Sequence, residues 1–367
     1  MIGPMDSNMA QARDFFLAGV GHYEAGRLED AERQFAASLA LLPGRLSTLL
    51  NLGATRLKLG KFAQAEQLLS EALEQEPDNV EALGHRATAL AEMGQAREAL
   101  ADVDRLVALD PSRGSAWSLK GTLLREQGRR DEAADAYRRA IASGADVELN
   151  GYYLAALEGG AAPRTPPAAY VQGLFDGYAD GFEEHLVEVL NYRAPEILVA
   201  RVAQMKRLFE RALDLGCGTG LCGVKLRPLA AHIDGVDLSA NMVDRARERG
   251  VYDQVHEADA AEYLRRSGER YDLIVAADVF IYVGALEAVF EGAARAITPG
   301  GVFCFSVEKE AQQEFALRAS LRYAHSRGYI ERLAAENGFD IVEIAEHPIR
   351  EDQRAAIAGL FAWLVKR

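Results

Sequence analysis

The sequence contains few cysteines and no long apolar run. Its three cysteines are too few for a disulfide framework, and no histidine stands at a metal-ligand spacing from them. We expect no disulfide between Cys217 and Cys222, no metal site, and a reducing, cytoplasmic location. No apolar stretch approaches the roughly 20 residues of a membrane-spanning helix. Residues 1–7 also lack the basic and apolar pattern of a signal peptide.

The sequence is also short of positive charge. It has 41 lysines and arginines against 55 aspartates and glutamates, which gives a formal net charge of −14. So acidic a chain is poorly suited to bind the phosphate backbone of a nucleic acid. We therefore expect no nucleic-acid partner. The length of 367 residues is enough for two domains.

A repeat of 34 residues organises the first part of the chain. Glycines, alanines and prolines recur at this step, at Gly26, Gly60, Gly94 and Gly128, at Ala31, Ala65, Ala99 and Ala133, and at Pro43, Pro77 and Pro111. Each glycine is expected to end the first helix of a pair, and each proline to stop the second. Alanines let the paired helices approach closely. The layout resembles tetratricopeptide repeats.

These repeats predict an α-solenoid over residues 1–158. Four repeats are expected at 12–45, 46–79, 80–113 and 114–147, followed by a capping helix. In the fourth repeat Ala145 replaces the proline. Solenoids present concave surfaces that bind other proteins, so we expect a protein partner or self-association.

The pattern changes after a Gly- and Pro-rich stretch at 159–169, which predicts a linker. Strand and helix signals then alternate over 170–367. This alternation is typical of a doubly wound, Rossmann-like α/β domain with a mostly parallel sheet. The chain is thus predicted to be multidomain, α followed by α/β. Seven strands are expected, the last two as an antiparallel edge, at 211–215, 232–237, 254–258, 271–276, 302–307, 340–346 and 360–366.

A cluster of glycines follows the first predicted strand, in the run Asp214-Leu-Gly-Cys-Gly-Thr-Gly220. Glycines permit positive φ and let a ligand approach the main chain, and the helix that follows offers free N–H groups. A second acid, Asp237, ends the next predicted strand. Its spacing suits a carboxylate that binds the two hydroxyls of a ribose. The pattern predicts a nucleoside-type cofactor.

This run, with Asp237, Asp259 and Asp278, resembles the class I S-adenosylmethionine-dependent methyltransferases. The resemblance covers about 170–367 and implies methyl transfer with S-adenosyl-L-methionine as the cofactor. The glycine spacing also fits a dinucleotide fingerprint, although Asp214 would crowd a pyrophosphate. An NAD-dependent oxidoreductase is therefore the less favoured alternative. A non-catalytic tetratricopeptide scaffold with a cofactor-binding domain is another.

The predicted cofactor site has three parts. Asp214 and the backbone of 216–220 would hold the charged methionine end, and Asp237 would bind the ribose. Leu238 and Met242 would pack on the adenine, while other residues read its edge or line the site. The full set is Asp214, Gly216, Cys217, Gly218, Gly220, Asp237, Leu238, Met242, Asp259, Ala260, Asp278 and Tyr170. Asp278 is either a pocket residue or a structural cap.

Two aromatic and polar segments are predicted to close over the methyl group. The first, 170–185, resembles the N-terminal lids of class I methyltransferases; there Tyr178 would orient the methyl group, beside Phe182. The second, 322–327, is predicted to lie between the fifth and sixth strands, where His325 would accept a proton and an arginine would fix an anionic acceptor. Simple packing, or a solvated loop, is the alternative for each. The predicted substrate pocket contains His185, Tyr282, Arg322, Tyr323 and Arg327.

Overall fold

The computed structural model describes residues 4–167, 170–171, 173–174, 192–352 and 355–367. The chain divides into two compact units, Met1–Leu154 and Ala155–Arg367. The first unit is helical and the second is built around a sheet. The division falls inside the helix that was predicted to cap the repeats. No helix in the described ranges is long and apolar enough to cross a membrane.

The first unit consists of consecutive helices that pack in pairs. Four glycines end the first helix of each pair with φ between 70° and 74°, and the four alanines at the 34-residue step are fully buried. The predicted helical repeat region is therefore confirmed, while its division into four repeats over 12–147 stays a prediction. The helices are α1 (Pro4–Glu24), α2 (Leu28–Leu41), α3 (Leu46–Lys58), α4 (Phe62–Gln75), α5 (Val80–Glu92), α6 (Ala96–Leu109), α7 (Gly114–Glu126), α8 (Arg130–Ala142) and α9 (Val147–Glu158).

The second unit contains, within the described residues, a nine-stranded sheet with the core order β3-β2-β1-β4-β5. These five strands are parallel, as the alternating pattern predicts. The strands are β1 (Phe209–Leu215), β2 (Ala230–Asp237), β3 (Gln254–Glu257), β4 (Tyr271–Ala276), β5 (Ile297–Glu310), β6 (Phe315–Leu317), β7 (Tyr323–Ser326), β8 (Phe339–Asp352) and β9 (Ala355–Lys366).

The predicted number of seven strands is wrong because two short strands were missed. β6 and β7 pair antiparallel to each other, and β7 pairs parallel to the last residues of β5. The predicted antiparallel pair is present: β9 runs antiparallel to β5 and β8 pairs with β9. The overall fold class is confirmed.

Helices cover both faces of this sheet. They are α10 (Ala194–Ala203), α11 (Leu221–Leu226), α12 (Ala240–Glu248), α13 (Ala260–Arg266), α14 (Glu287–Ala296) and α15 (Arg327–Glu336). Alternate residues of a strand point to opposite faces, so β4 contributes to both cores. Ile274 and Ala276 belong to the apolar cluster under α14 and α15, while Leu273 and Val275 belong to the cluster under α10. Because β1, β2 and β4 are parallel, their carboxyl ends lie along one edge of the sheet.

Candidate active site

A tight glycine loop connects β1 to α11. Gly216, Gly218 and Gly220 have φ of 75°, 52° and 95°, a region that side chains other than glycine rarely occupy. The amide of Gly216 donates to the carbonyl of Val236 at 2.8 Å. A Cβ at Gly216 would lie 2.2 Å from the side chain of Val279, whereas a Cβ at Gly218 would meet nothing within 4 Å. The loop is packed closely at its start and open at Gly218.

The carboxylate of Asp237 lies beside the open part of this loop. Its Oδ2 accepts from the amide of Gly218 at 2.8 Å and its Oδ1 from the amide of Ser239 at 3.0 Å. Burial raises the pKa of Asp237, while these amides stabilise the charged form. Ser239 caps α12 by accepting from the amide of Met242. Asp237 is therefore not needed as the cap, and its remaining lone pairs can accept further donors.

Asp214 lies beneath the loop, fully buried. The hydroxyl of Tyr252 donates to its Oδ2 at 2.6 Å. Burial raises the pKa of Asp214 to about 7, and the Tyr252 hydroxyl and the Cys222 thiol partly offset this rise. A Cβ at Gly223 would lie 2.4 Å from the Tyr252 ring. The glycine thus makes room for a tyrosine that the sequence analysis missed.

The residues predicted to bind the adenine have different environments. Leu238 is 40% exposed, whereas Met242 is only 1% exposed, so Leu238 offers the apolar surface to a ligand. Asp259 caps α13, because its Oδ1 accepts from the amide of Glu262 at 2.9 Å; Ala260 is the first residue of that helix. Their predicted contacts with a cofactor stay predictions.

The cysteines surround the loop as buried thiols. Cys217, Cys222 and Cys304 are all free. Burial raises the pKa of each of them, which keeps the thiols neutral and unreactive. They therefore act here as small apolar groups.

A buried ion network follows the carboxyl ends of β4 and β5. Arg350 of β8 is 2% exposed; its Nη1 donates to Asp278 Oδ2 at 2.7 Å and its Nη2 donates to Glu308. The backbone of Asp278 has a φ of 57°, and its amide donates to the hydroxyl of Ser306 at 2.9 Å. The network fixes the Asp278 carboxyl next to Val279, which packs on the glycine loop.

Arg322 and two tyrosines lie around this network. Burial raises the pKa of Asp278, Glu308 and Tyr282, and the charge of Arg322 lowers the pKa of each. The hydroxyl of Tyr192 donates to the carbonyl of Ala277 at 3.2 Å. Burial and the carboxyls of Asp278 and Asp214 raise the pKa of this tyrosine. The glycine loop and the ion network thus form one continuous region.

The segment that contains His325 is a strand of the sheet, neither the predicted cover over the methyl group nor the alternative of a solvated loop. Residues 323–326 form β7, because they pair with the end of β5. His325 is fully buried, and its Nε2 lies 2.8 Å from the carbonyl oxygen of Gly284, so this nitrogen carries the proton. Burial lowers the pKa of His325 to about 4. A fully buried imidazole with so low a pKa is a weak proton acceptor, which argues against its predicted role as the base.

The remaining predicted pocket residues are dispersed. Arg327 donates to the carbonyl of Ile344 at 2.7 Å, and no described contact joins it to the ion network. Tyr323 is fully buried, and the amide of Tyr170 donates to Pro167. The predicted lid residues Tyr178, Phe182 and His185 lie outside the described residues.

Sequence reasoning missed Glu308 and Arg350. Glu308 stands in β5, where residues 302–307 are buried, and a charge inside a buried strand was the available signal, since such a charge needs a partner. Arg350 stands in β8, most of whose described residues are exposed, so its strand gave no such signal. The identity of that partner depends on the register of distant strands, so it could not be predicted.

The comparisons with known proteins agree with this architecture. Residues 213–303 match a family model described as a methyltransferase domain. Residues 22–87, 56–123 and 114–143 match models described as tetratricopeptide repeats. These matches cover the glycine loop and the 34-residue repeats.

Curated relatives match part of the chain. A ubiquinone biosynthesis O-methyltransferase of Chelativorans sp. is 30% identical over 134 residues, which are 33% of this chain and 53% of that protein. A malonyl-[acyl-carrier protein] O-methyltransferase of Enterobacter lignolyticus is 26% identical over 170 residues, 46% of this chain and 66% of that protein. The chain spans about half the length of the first of these relatives.

A solved structure of similar fold is the magnesium protoporphyrin IX methyltransferase of Synechocystis with bound S-adenosylmethionine. It is 17% identical, covers 54% of this chain and 96% of its own, and has a TM-score of 0.43.

Proposed function

We propose that this chain, whose tetratricopeptide repeats precede a methyltransferase domain, transfers a methyl group from S-adenosyl-L-methionine to an acceptor. The observation that carries the proposal is the pairing of an open glycine loop with the Asp237 carboxylate. Both lie at the carboxyl ends of neighbouring parallel strands, where doubly wound folds bind their ligands.

The residues present fit this cofactor. Gly218 leaves space that any side chain would fill, so a ligand can approach the main chain there. Asp237 has lone pairs left for the two ribose hydroxyls, and exposed Leu238 offers a surface for the adenine. Asp214 supports the loop from below and supplies a carboxyl near the methionine end.

When bound, the cofactor would supply a methyl group on a positively charged sulfur. The chain itself has to orient the acceptor and exclude water. The region between Asp214 and Asp278 suits this task, since the ion network of Arg350 is buried there and the partly buried Tyr192 lies beside it. The substrate is an unidentified small molecule or protein.

The first unit supports a second part of the proposal. We propose that the repeats, over about 1–158, bind a protein partner or a second copy of this chain, because stacked helix pairs form extended concave surfaces. The methyltransferase part would occupy 170–367, after a connection at 159–169. Three free thiols favour a reducing compartment, and we propose the cytoplasm.

The test compares two aspartates whose carboxylates each accept hydrogen bonds from two backbone amides. Asp237 accepts two backbone amides at the cofactor edge of the sheet, and Asp272 accepts the amides of Glu210 and Arg211 at the opposite edge. We expect Asp237→Ala to weaken binding of S-adenosylhomocysteine at least about 100-fold, since two hydrogen bonds to a charged group are lost.

Isothermal titration calorimetry measures this change. Asp272→Ala removes a similar pair of amide contacts and should leave the affinity unchanged. Equal affinities in the wild type and Asp237→Ala would refute the assignment of this site.

A further inference from the structure

Two buried aspartates on neighbouring strands differ in their counter-charges. Asp214 of β1 and Asp234 of β2 are both fully buried. Arg211 Nη2 lies 2.8 Å from Asp234 Oδ2, which is the kind of pairing that a buried carboxylate ordinarily requires. Within the described part of the chain, no lysine, arginine or histidine forms such a pair with Asp214.

The described groups around Asp214 are neutral or acidic. The hydroxyl of Tyr252 donates to its Oδ2 at 2.6 Å, and the Cys222 thiol and the Gly223 amide also stabilise the charged form. Burial raises the pKa of the neighbouring thiols and phenols, which keeps them neutral. The titratable groups whose interaction with Asp214 the structure describes are Tyr192, Cys217, Cys222, Asp237, Tyr252 and Cys304.

A buried carboxyl without a cation is reluctant to ionise. Burial raises the pKa of Asp214 to about 7, and the negative charge of Asp237 adds to this rise. A cation brought into the site would favour the ionised form of the carboxyl. Asp214 therefore responds to the charge of whatever binds beside the loop.

A ligand held by the glycine loop lies within electrostatic range of Asp214. Asp237 bonds the loop at Gly218, and its charge already acts on Asp214. At an effective dielectric constant of about 20, two unit charges about 12 Å apart change an affinity about tenfold. Such an interaction needs no contact, so it is compatible with the full burial of Asp214.

We propose that the ionised Asp214 is the counter-charge of the sulfonium of S-adenosyl-L-methionine and acts through the glycine loop without touching the cofactor. The inference rests on the proposed methyl transfer. Loss of the methyl group turns the positively charged sulfur into a neutral thioether, so S-adenosylhomocysteine lacks the charge that Asp214 attracts. Asp214 is thus a specificity-determining residue that favours the cofactor over its product, and Tyr252 is the positioning residue that holds it.

The experiment measures the dissociation constants of S-adenosyl-L-methionine and S-adenosylhomocysteine for the full chain by isothermal titration calorimetry, from about pH 5.5 to about pH 8. The two ligands differ only in the methyl group and charge on sulfur. The ratio of their dissociation constants therefore isolates the effect of that charge. In the wild type, the preference for S-adenosyl-L-methionine should grow with pH as Asp214 ionises.

Two aspartate variants locate the effect. Asp214→Asn is the reference, because titration of the ligands' own groups affects both proteins equally. The wild-type preference should exceed that of Asp214→Asn at least about tenfold near pH 8 and should match it near pH 5.5. Asp234→Asn is the matched control: its carboxyl is equally buried but paired with Arg211, so this variant should follow the wild type.

Tyr252→Phe separates positioning from packing. The variant keeps the ring that fills the space beside Gly223 but removes the hydrogen bond that stabilises the charged Asp214. The pH-dependent rise in preference should therefore move to higher pH. A tyrosine with a merely structural role would weaken both ligands equally at every pH.

Contrary outcomes separate the two proposals. A wild-type preference that equals that of Asp214→Asn at every pH, or exceeds it by a constant factor, overturns the role of Asp214 and leaves the methyltransferase proposal intact. If Asp214→Asn binds neither ligand, Tyr252→Phe decides: a rise moved to higher pH supports the role, and a rise that is absent or unmoved overturns it. Wild-type protein that binds neither ligand overturns both proposals.

Discussion

At the scale of single residues, two aspartates one strand apart have distinct roles. Asp237 lies at the edge of the open loop and is fixed by two amides. Asp214 lies beneath that loop, fully buried, and is bonded by Tyr252. Burial raises the pKa of both carboxyls. From these different partners we expect Asp237 to contact a ligand and Asp214 to support the loop.

The raised pKa of Asp214 predicts a pH dependence of stability. This carboxyl has a pKa of about 7 in the folded chain against an ordinary value of 3.8, so between these pH values the folded state binds more protons than the unfolded state. The free energy of unfolding therefore falls as pH rises through this window, by up to about 4 kcal/mol for this group. Asp214→Asn should remove that fall and gain stability relative to the wild type from pH 4 to pH 8.

Urea denaturation at several pH values measures this effect. A Trp117→Phe background leaves Trp363 of β9 as the only tryptophan, so its fluorescence reports the second unit. A difference in unfolding free energy between Asp214→Asn and the wild type that does not change with pH would contradict the assigned pKa.

Some site residues could be predicted from sequence and others could not. Asp237 is recognisable because it ends a strand at a fixed spacing from the glycine loop. Arg350 is not, because its partner Asp278 is 72 residues away and the contact depends on how β8 and β5 lie across β9. His325 was predicted to face the acceptor pocket, whereas the structure buries it in β7. Its burial against Gly284 is a tertiary effect.

At the scale of elements, long periodic patterns were predictable and short strands were not. The helix pairs follow from glycines that need positive φ at each 34-residue step. β6 and β7 have only three and four residues, too few to show an alternation. The pairing of β7 with the end of β5 and of β6 with β7 forms these strands, and local sequence did not indicate it.

Two glycines within helices of the repeats should respond in opposite ways to substitution by alanine. A Cβ at Gly121 would lie 2.6 Å from the buried ring of Tyr137, whereas a Cβ at Gly84 would make only ordinary contacts at 3.5 Å. We expect Gly121→Ala to destabilise the repeats by about 1–3 kcal/mol through overpacking. Gly84→Ala should stabilise them by about 0.5–1 kcal/mol, because alanine favours the helix.

Thermal unfolding followed by circular dichroism at 222 nm distinguishes the two variants. The helical transition should shift to lower temperature in Gly121→Ala and to slightly higher temperature in Gly84→Ala. Shifts of the same sign and size would show that the helix packing described for α7 and α8 is incorrect.

At the scale of the whole molecule, the chain joins two separate units. The second unit begins at Ala155 and so includes residues 159–169, which were predicted to form the linker. The amide of Ala285 donates to the carbonyl of Arg164 at 2.8 Å, and the Arg164 side chain lies 2.9 Å from Glu287. This segment therefore packs on the connection between β4 and α14. A separable second unit has to contain it.

Two fragments test this boundary. Residues 155–367 should fold alone and bind S-adenosylhomocysteine with the affinity of the full chain. Residues 165–367 lack Arg164 and should unfold at a lower temperature, although the cofactor residues are all present. Differential scanning fluorimetry and calorimetric titration of both fragments check these expectations. Loss of binding in fragment 155–367 would mean that the repeats complete the site.

The central claim is that the glycine loop and Asp237 bind S-adenosyl-L-methionine rather than a dinucleotide. Calorimetric titration of the wild-type chain with S-adenosylhomocysteine and, separately, with NAD tests it most directly. The account predicts saturable binding of S-adenosylhomocysteine at one site per chain and no measurable heat of binding with NAD. Saturable binding of NAD, with none of S-adenosylhomocysteine, would contradict it.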